Sequence, residues 1–101
     1  MNHFKLRTTY QADFDIENLH FYIFEICKSP LTSRLYIEGI YSEILRLSFS
    51  ADSFPVSTLN SVSKYGHNAR RINYKKMSIV FTIHNDIVLI HRVIPASMLT
   101  E

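Results

Sequence analysis

The sequence predicts an α+β domain in which an N-terminal strand and a two-helix antiparallel hairpin pack on a small, mainly antiparallel sheet. A short alternating segment near the N-terminus, two long segments with helical spacing and three alternating segments near the C-terminus together favour this class. The chain has 101 residues, of which 47% are hydrophobic and 20% charged, which is the composition of a folded protein. We therefore expect residues 1–101 to form a single domain, with the sheet completed by the three C-terminal strands.

The first strand and the first helix follow directly from spacing. Residues 3–8 alternate between apolar and charged side chains, which predicts a strand with one buried face. Thr8 or Thr9 can then cap a helix, because a side-chain oxygen accepts a hydrogen bond from a free backbone N–H. This helix should end near Lys28, since Pro30 disfavours helical geometry at the residue before it. Its apolar stripe, spaced by three and four residues, comprises Ala12, Ile16, Leu19, Ile23 and Ile26.

A second helix is predicted from Pro30 onwards, because proline suits the first helical turn. The link between the two helices is short, so they should form an antiparallel hairpin, with Gly39 allowing close approach to the first helix. The Ser-rich stretch 48–66 predicts a loop, with a short strand at Val56 to Leu59 as an alternative. The apolar stripe of the second helix comprises Ile37, Ile40, Tyr41, Ile44 and Leu47.

The C-terminal segment 70–94 predicts a basic strand followed by a hairpin of two apolar strands. Alternation is clearest in residues 77–84, and Asn85-Asp86 suits a two-residue turn because both tolerate left-handed backbone. That turn predicts the pairs His84–Ile87, Thr82–Leu89, Val80–His91 and Ser78–Val93. The helix-covered face then comprises Met77, Ile79, Phe81, Ile83, Val88 and Ile90, with Ile72 and Tyr74 from the basic strand.

The opposite face of the sheet is predicted to carry an apolar strip with a basic rim. Exposed strips of this kind are rare on monomers unless something binds there, so we expect a partner. The alternative is a register shifted by one residue, which would exchange the faces of the last strand. The strip comprises Val80, Ile87, Leu89 and Val93, with Ser78, Thr82, His84 and His91 on the same face. The rim comprises Lys5, Arg7, Arg71, Asn73 and Lys75.

Charge and composition restrict the partner and the compartment. No Asp or Glu occurs from Ser53 to Asn85 although this window holds five Lys and Arg residues, so a polyanion or an acidic protein is a fitting partner. The alternative is a strand edge protected from aggregation by lysines. A single cysteine, Cys27, and the lack of a long apolar run favour a cytoplasmic protein without membrane association. The five histidines lack ligand spacing, so neither a metal nor another cofactor is expected.

Several motifs, taken in order, resemble the RelE/ParE toxin superfamily of bacterial type II toxin–antitoxin modules. They are Thr9-x-x-Ala12-x-x-Asp15-Ile16-x-x-Leu19-x-x-Tyr22-Ile23, Phe54-Pro55, Arg71-Ile72, Ile79-Val80-Phe81 and Ile90-His91-Arg92-Val93. The resemblance implies two helices on a four-stranded sheet, and a cognate antitoxin whose flexible segment wraps the toxin in a hetero-oligomeric complex. The antitoxin-binding residues then expected are Lys5, Arg7, Arg71, Lys75, Val80, Ile87, Leu89 and His91.

Departures from the family pattern bear on activity. RelE-type members cut messenger RNA on the ribosome, and the arginine they carry at the start of the third strand is replaced here, where the chain reads Met77-Ser78-Ile79. The resemblance is therefore closer to ParE-like members, which bind DNA gyrase and support plasmid stabilisation and growth inhibition. An mRNA endonuclease using Arg71, Lys75 and His91, or a non-toxic binding module, are the alternatives. Arg92 is weighed equally as a catalytic candidate and as a structural ion-pair partner.

Overall fold

The computed structural model describes residues 3–99 and has the predicted α+β architecture. Two short 3₁₀ turns, Ala51–Ser53 and Ala96–Met98, follow α2 and the last strand. The elements in chain order are β1 (Lys5–Thr8), α1 (Tyr10–Cys27), α2 (Pro30–Ser50), the short helix α3 (Asn60–Ser63), β2 (Arg70–Tyr74), β3 (Met77–His84) and β4 (Ile87–Pro95).

α1 begins and ends at the predicted signals, and α2 begins at Pro30 as predicted but runs to Ser50, two residues into the predicted loop. The Thr9 hydroxyl accepts a hydrogen bond from the Ala12 amide at 3.0 Å, and α1 stops where Lys28 adopts left-handed backbone with a φ of 54°. Burial falls along α1, from fully buried Ala12 to exposed Ile26. The prediction that Ile26 belongs to the buried apolar stripe is therefore wrong, since this residue is 60% exposed. Tyr41 on α2 is likewise exposed, at the flank of its buried stripe.

The sheet has the order β1-β4-β3-β2. β1 runs parallel to β4, and the other two pairs are antiparallel, so the sheet is mainly antiparallel as predicted. The helices cover one face and close the main core. This core comprises Ala12, Ile16, Ile40, Ile44, Leu47, Ala51, Ile72, Met77, Ile79, Phe81, Val88, Ile90 and Val93.

A β-bulge in β4 changes the predicted hairpin register. Thr82 pairs with Leu89 as expected, but Val80 pairs with Arg92 and not with His91. The predicted pairs Val80–His91 and Ser78–Val93 are therefore wrong, because His91 is an extra residue in β4. Beyond the bulge, each side chain of β4 points to the face opposite to the one predicted for it. Val93 consequently lies in the main core at 2% exposure, and Ile94 lies on the other face opposite Ser78.

A second, smaller core covers part of the face that was predicted to be open. Val80 is fully buried there, because the segment around α3 and the residues after β4 fold over it. The Ser-rich loop predicted for residues 48–66 thus contains α3, and the alternative short strand is reduced to one bridge between Val56 and Arg70. The second core comprises Val62, Ala69, Val80, Ile94 and Leu99.

Two further predicted placements are wrong, at Gly39 and at Lys75. A Cβ at Gly39 would collide with the ring of Tyr74 on β2. The missing side chain of Gly39 therefore makes room for Tyr74 and not for α1. Lys75 lies in the β2–β3 turn with a φ of 54° and is not on the open face. Its ammonium lies 5.1 Å from the ring centre of Tyr36 on α2, which places it on the helix side of the sheet.

Candidate functional site

Five of the eight residues predicted to bind a partner lie together on the open part of the sheet. Lys5 pairs with Ile87 and Arg7 with Leu89 across the parallel strands, so all four point to one face. Lys5 and Arg7 are exposed, and Ile87, Leu89 and His91 are half-buried. We call this the β1–β4 surface, comprising Lys5, Arg7, His84, Ile87, Leu89 and His91.

The remaining three predicted residues lie elsewhere. Val80 is buried in the second core, and Lys75 lies on the helix side. Arg71 pairs with Val80 from β2, two strands away from His91 in β4, or about 10 Å at the usual strand spacing. The fold therefore does not bring Arg71, Lys75 and His91 together as the predicted nuclease site requires.

The middle of the β1–β4 surface holds a hydrogen-bonded histidine pair. The buried hydroxyl of Thr82 lies 2.8 Å from Nε2 of His84 and 2.8 Å from Nε2 of His91. A hydroxyl has a single hydrogen to donate, so when it donates to one imidazole it accepts from the other. The sequence already placed all three residues on one face, but no pattern in it indicated that they are in contact.

Burial, and secondarily the charge of His84, lower the pKa of His91 from its ordinary value of 6.5. His91 is therefore neutral at pH 7. The permanent cations of the β1–β4 surface are Lys5, which lies 3.8 Å from Asp86, and Arg7. The surface combines two cations, an apolar strip and a neutral imidazole that can take up a proton.

Arg92 follows the bulge and has a structural partner. Its Nε and Nη2 donate to the Asp15 carboxylate at 2.7 and 3.1 Å, and the amide of Val93 donates to the same carboxylate at 3.0 Å. The side-chain hydrogen bonding of Arg92 to Asp15 is the main cause that raises the pKa of Arg92 above its ordinary value. Of the two roles weighed for Arg92, the ion pair is the one with geometry to support it. The pair fixes the backbone directly after His91.

The described part of the chain offers little for other classes of site. Within residues 3–99, no three His, Cys, Asp or Glu side chains converge in a way that could hold a metal ion. Cys27 is exposed near the end of α1. Neither long helix in this range has the apolar length needed to span a bilayer.

Comparison with known proteins identifies the fold. The chain matches no protein-family model and no curated protein sequence. Its structure is similar to that of a chain from the chromosomal ParDE TA system from P. aeruginosa, with a TM-score of 0.74. The match covers 91% of this chain and 95% of that chain at 14% sequence identity. The two proteins share a fold. The expected fold, two helices on a four-stranded sheet, is thereby confirmed.

Proposed function

We propose that this protein is a ParE-like toxin of a type II toxin–antitoxin module, which binds a protein target and is neutralised by a cognate antitoxin. The observation that carries the proposal is the fold shared with the ParDE chain over nearly the whole length of both proteins. A fold alone can host several functions, so the β1–β4 surface supplies the second part of the argument.

The β1–β4 surface suits an antitoxin segment that is acidic and partly apolar. Ile87 and Leu89 provide half-buried apolar area, and Lys5 and Arg7 lie directly beside them. A flexible segment that folds on binding must bury apolar groups to offset its loss of conformational entropy, and its carboxylates gain from nearby cations. Apolar contacts then supply affinity, and the cations supply orientation and association rate.

The geometry around β2 and β3 favours a protein-binding toxin over an RNA-cleaving one. Ser78 occupies the strand position at which a nuclease arginine was expected, and its buried hydroxyl donates to Oδ1 of Asn73 at 2.5 Å. Cleavage of RNA needs a base for the 2′-hydroxyl and a cation for the phosphate at adjoining positions. Arg71 and Lys75 are both remote from His91. DNA gyrase is therefore the target that we propose.

The test measures gyrase supercoiling in the presence of the purified protein. We expect inhibition, and we expect an Arg7→Ala/Leu89→Asp variant to lose at least about tenfold in affinity for the antitoxin. Arg46→Ala is the matched control, because Arg46 is an exposed cation on α2 outside the surface. Undiminished gyrase supercoiling at saturating protein would show that gyrase is not the target. Equal antitoxin affinity of the surface variant and the control would show that the antitoxin does not bind the β1–β4 surface.

Ribosome-dependent mRNA cleavage is the second candidate, and the histidine pair linked by Thr82 is the observation that favours it. A neutral His91 can accept a proton, and Arg7 offers a cation on the same face. If this candidate is correct, His91→Ala abolishes cleavage of ribosome-bound mRNA while the protein stays folded. Growth arrest that persists in folded His91→Ala, without any mRNA cleavage, excludes it. Expression that causes no growth defect would indicate a non-toxic binding module.

A further inference from the structure

The side of the helical hairpin that faces away from the sheet carries large apolar side chains in contact with solvent. None of them belongs to the β1–β4 surface, and the proposed function does not use them. Their exposed fractions run from 39% for Phe24 to 95% for Tyr10. We call this the outer face. It comprises Tyr10, Phe14, Phe21 and Phe24 on α1, and Leu31, Leu35, Leu45 and Phe49 on α2.

These side chains form one line on each helix. At 100° per residue, Tyr10, Phe14 and Phe21 point diametrically away from buried Ala12 and Ile16. The same rotation places the four outer-face residues of α2 opposite its buried stripe. The steps of four, seven and three residues on α1 are those by which helices pack on one another in bundles, whereas Leu35 and Leu45 on α2 are ten residues apart. Each helix is therefore apolar on two opposite sides, and the fold buries one of them.

The outer face has the size of a protein interface. The exposed parts of its eight side chains add up to roughly 900 Å², taking aromatic side chains at about 150–250 Å² each. A standard stable interface buries about 800 Å² per partner. The outer face alone is thus large enough for a stable dimer.

We propose that the outer face binds a second copy of this chain, forming a four-helix bundle between two protomers. The charges of α1 argue against the other occupants. This helix has no Lys or Arg, and it carries Asp13, Asp15, Glu17 and Glu25. Surface helices that bind anionic lipid are rich in Lys and Arg, so a membrane does not fit. An acidic antitoxin segment is also repelled here, whereas the β1–β4 surface attracts it.

The middle of the outer face fixes how two copies pair. It is polar, with Glu17 on α1 and the ion pair of Arg34 and Glu38, 3.7 Å apart, on α2. In an arrangement that lays α1 of one protomer over α2 of the other, Glu17 meets the helix that carries Arg34. Two-fold symmetry makes this contact twice. The β1–β4 surface lies on the far side of the sheet, so it stays free in the dimer.

Sedimentation equilibrium of the purified 101-residue chain, over about 1–100 μM, tests the proposal. We expect a dimer, and we expect Phe21→Lys to raise the dimer dissociation constant at least about tenfold. The matched control is Ile26→Lys, because Ile26 lies on the same helix with a similar exposure, 60% against 69%, but outside the outer face. Circular dichroism checks that both variants stay folded, and Leu35→Lys repeats the test from α2.

Three results would overturn the proposal. The first is a wild-type chain that stays monomeric throughout the concentration range. The second is a dimer that Ile26→Lys weakens as much as Phe21→Lys does. The third is a monomer that binds vesicles of phosphatidylglycerol through Phe21, which would assign the outer face to a membrane. None of these results depends on toxicity, so the dimer and the proposed function fail separately.

Discussion

Asp15 and Arg92 lie 77 residues apart in the chain and form a two-hydrogen-bond ion pair, with nitrogen–oxygen distances of 2.7 and 3.1 Å. The pair joins the second turn of α1 to the point where β4 resumes its pairing after the bulge. Asp15 also accepts the amide of Val93, so one carboxylate satisfies both a guanidinium and a strand N–H. Side-chain exposure is only 9% for Asp15 and 25% for Arg92.

Asp15→Ala should lower the free energy of unfolding by about 2–4 kcal/mol, because it leaves a half-buried guanidinium and a backbone amide without their acceptor. Urea denaturation measures the change. Asp13→Ala is the control, since Asp13 is exposed in the first turn of α1 and should cost less than about 1 kcal/mol. Equal effects of the two substitutions would show that the ion pair contributes no stability.

Val80→Asp and Leu89→Asp should differ sharply although both positions lie on the same face of the sheet. Val80 is fully buried in the second core, so a carboxylate there should cost more than about 4 kcal/mol and prevent folding. Leu89 is half-buried beside Arg7, so the same change should cost about 1 kcal/mol or less and leave a folded protein. Thermal unfolding followed by circular dichroism distinguishes them. A folded Val80→Asp protein would mean that α3 does not cover this part of the sheet.

Stability should decline below pH 6.5 because of His91. Its pKa is lower in the folded protein than the ordinary 6.5, so the unfolded chain takes up a proton that the folded chain resists. The stabilisation is fully present above pH 6.5 and is lost as the pH falls through the lowered value. Urea midpoints measured from pH 5 to 8 should show this slope, and His91→Gln should reduce it. An unchanged slope in His91→Gln would assign the effect to other groups.

Gly39→Ala should destabilise the protein even though alanine is the better helix former by about 1 kcal/mol. The new methyl would meet the ring of Tyr74, which also packs edge-on against Tyr36, and overpacking of this kind costs about 1–3 kcal/mol. We expect a net loss of about 1 kcal/mol in urea denaturation. In the Tyr74→Ala background the same change should become neutral or stabilising. A gain in the wild-type background would show that Tyr74 moves aside freely.

Local signals predicted the elements well, because they act over a few residues. Thr9, Lys28 and Pro30 set the helix ends through capping and backbone preference, and the Asn85-Asp86 turn set the start of the last hairpin. The predicted pairing of β3 with β4 is wrong only at Val80 and at the residues that precede it in β3. A bulge adds one residue without a sequence signature here, and alternation carried across it assigns each later side chain to the wrong face.

The candidate site was predicted correctly only where strand alternation determines the face on which a side chain lies. Lys5, Arg7, Ile87 and Leu89 were placed together because strand alternation alone decides their face. The burial of Val80 depends on the segment around α3, which has no clear period and crosses the sheet only in the tertiary structure. The partner of Arg92 depends on helix packing in the same way, and spacing along the chain holds no information about it.

The parallel pairing of β1 with β4 has a consequence for the order of synthesis. β1 is made first, yet its strand partner begins at Ile87, so its backbone has no sheet to join until most of the chain exists. Lys5 and Arg7 meet Ile87 and Leu89 only at that point. A nascent chain therefore carries the halves of this surface unassembled, and whatever the surface binds can recognise it only after β4 has been translated.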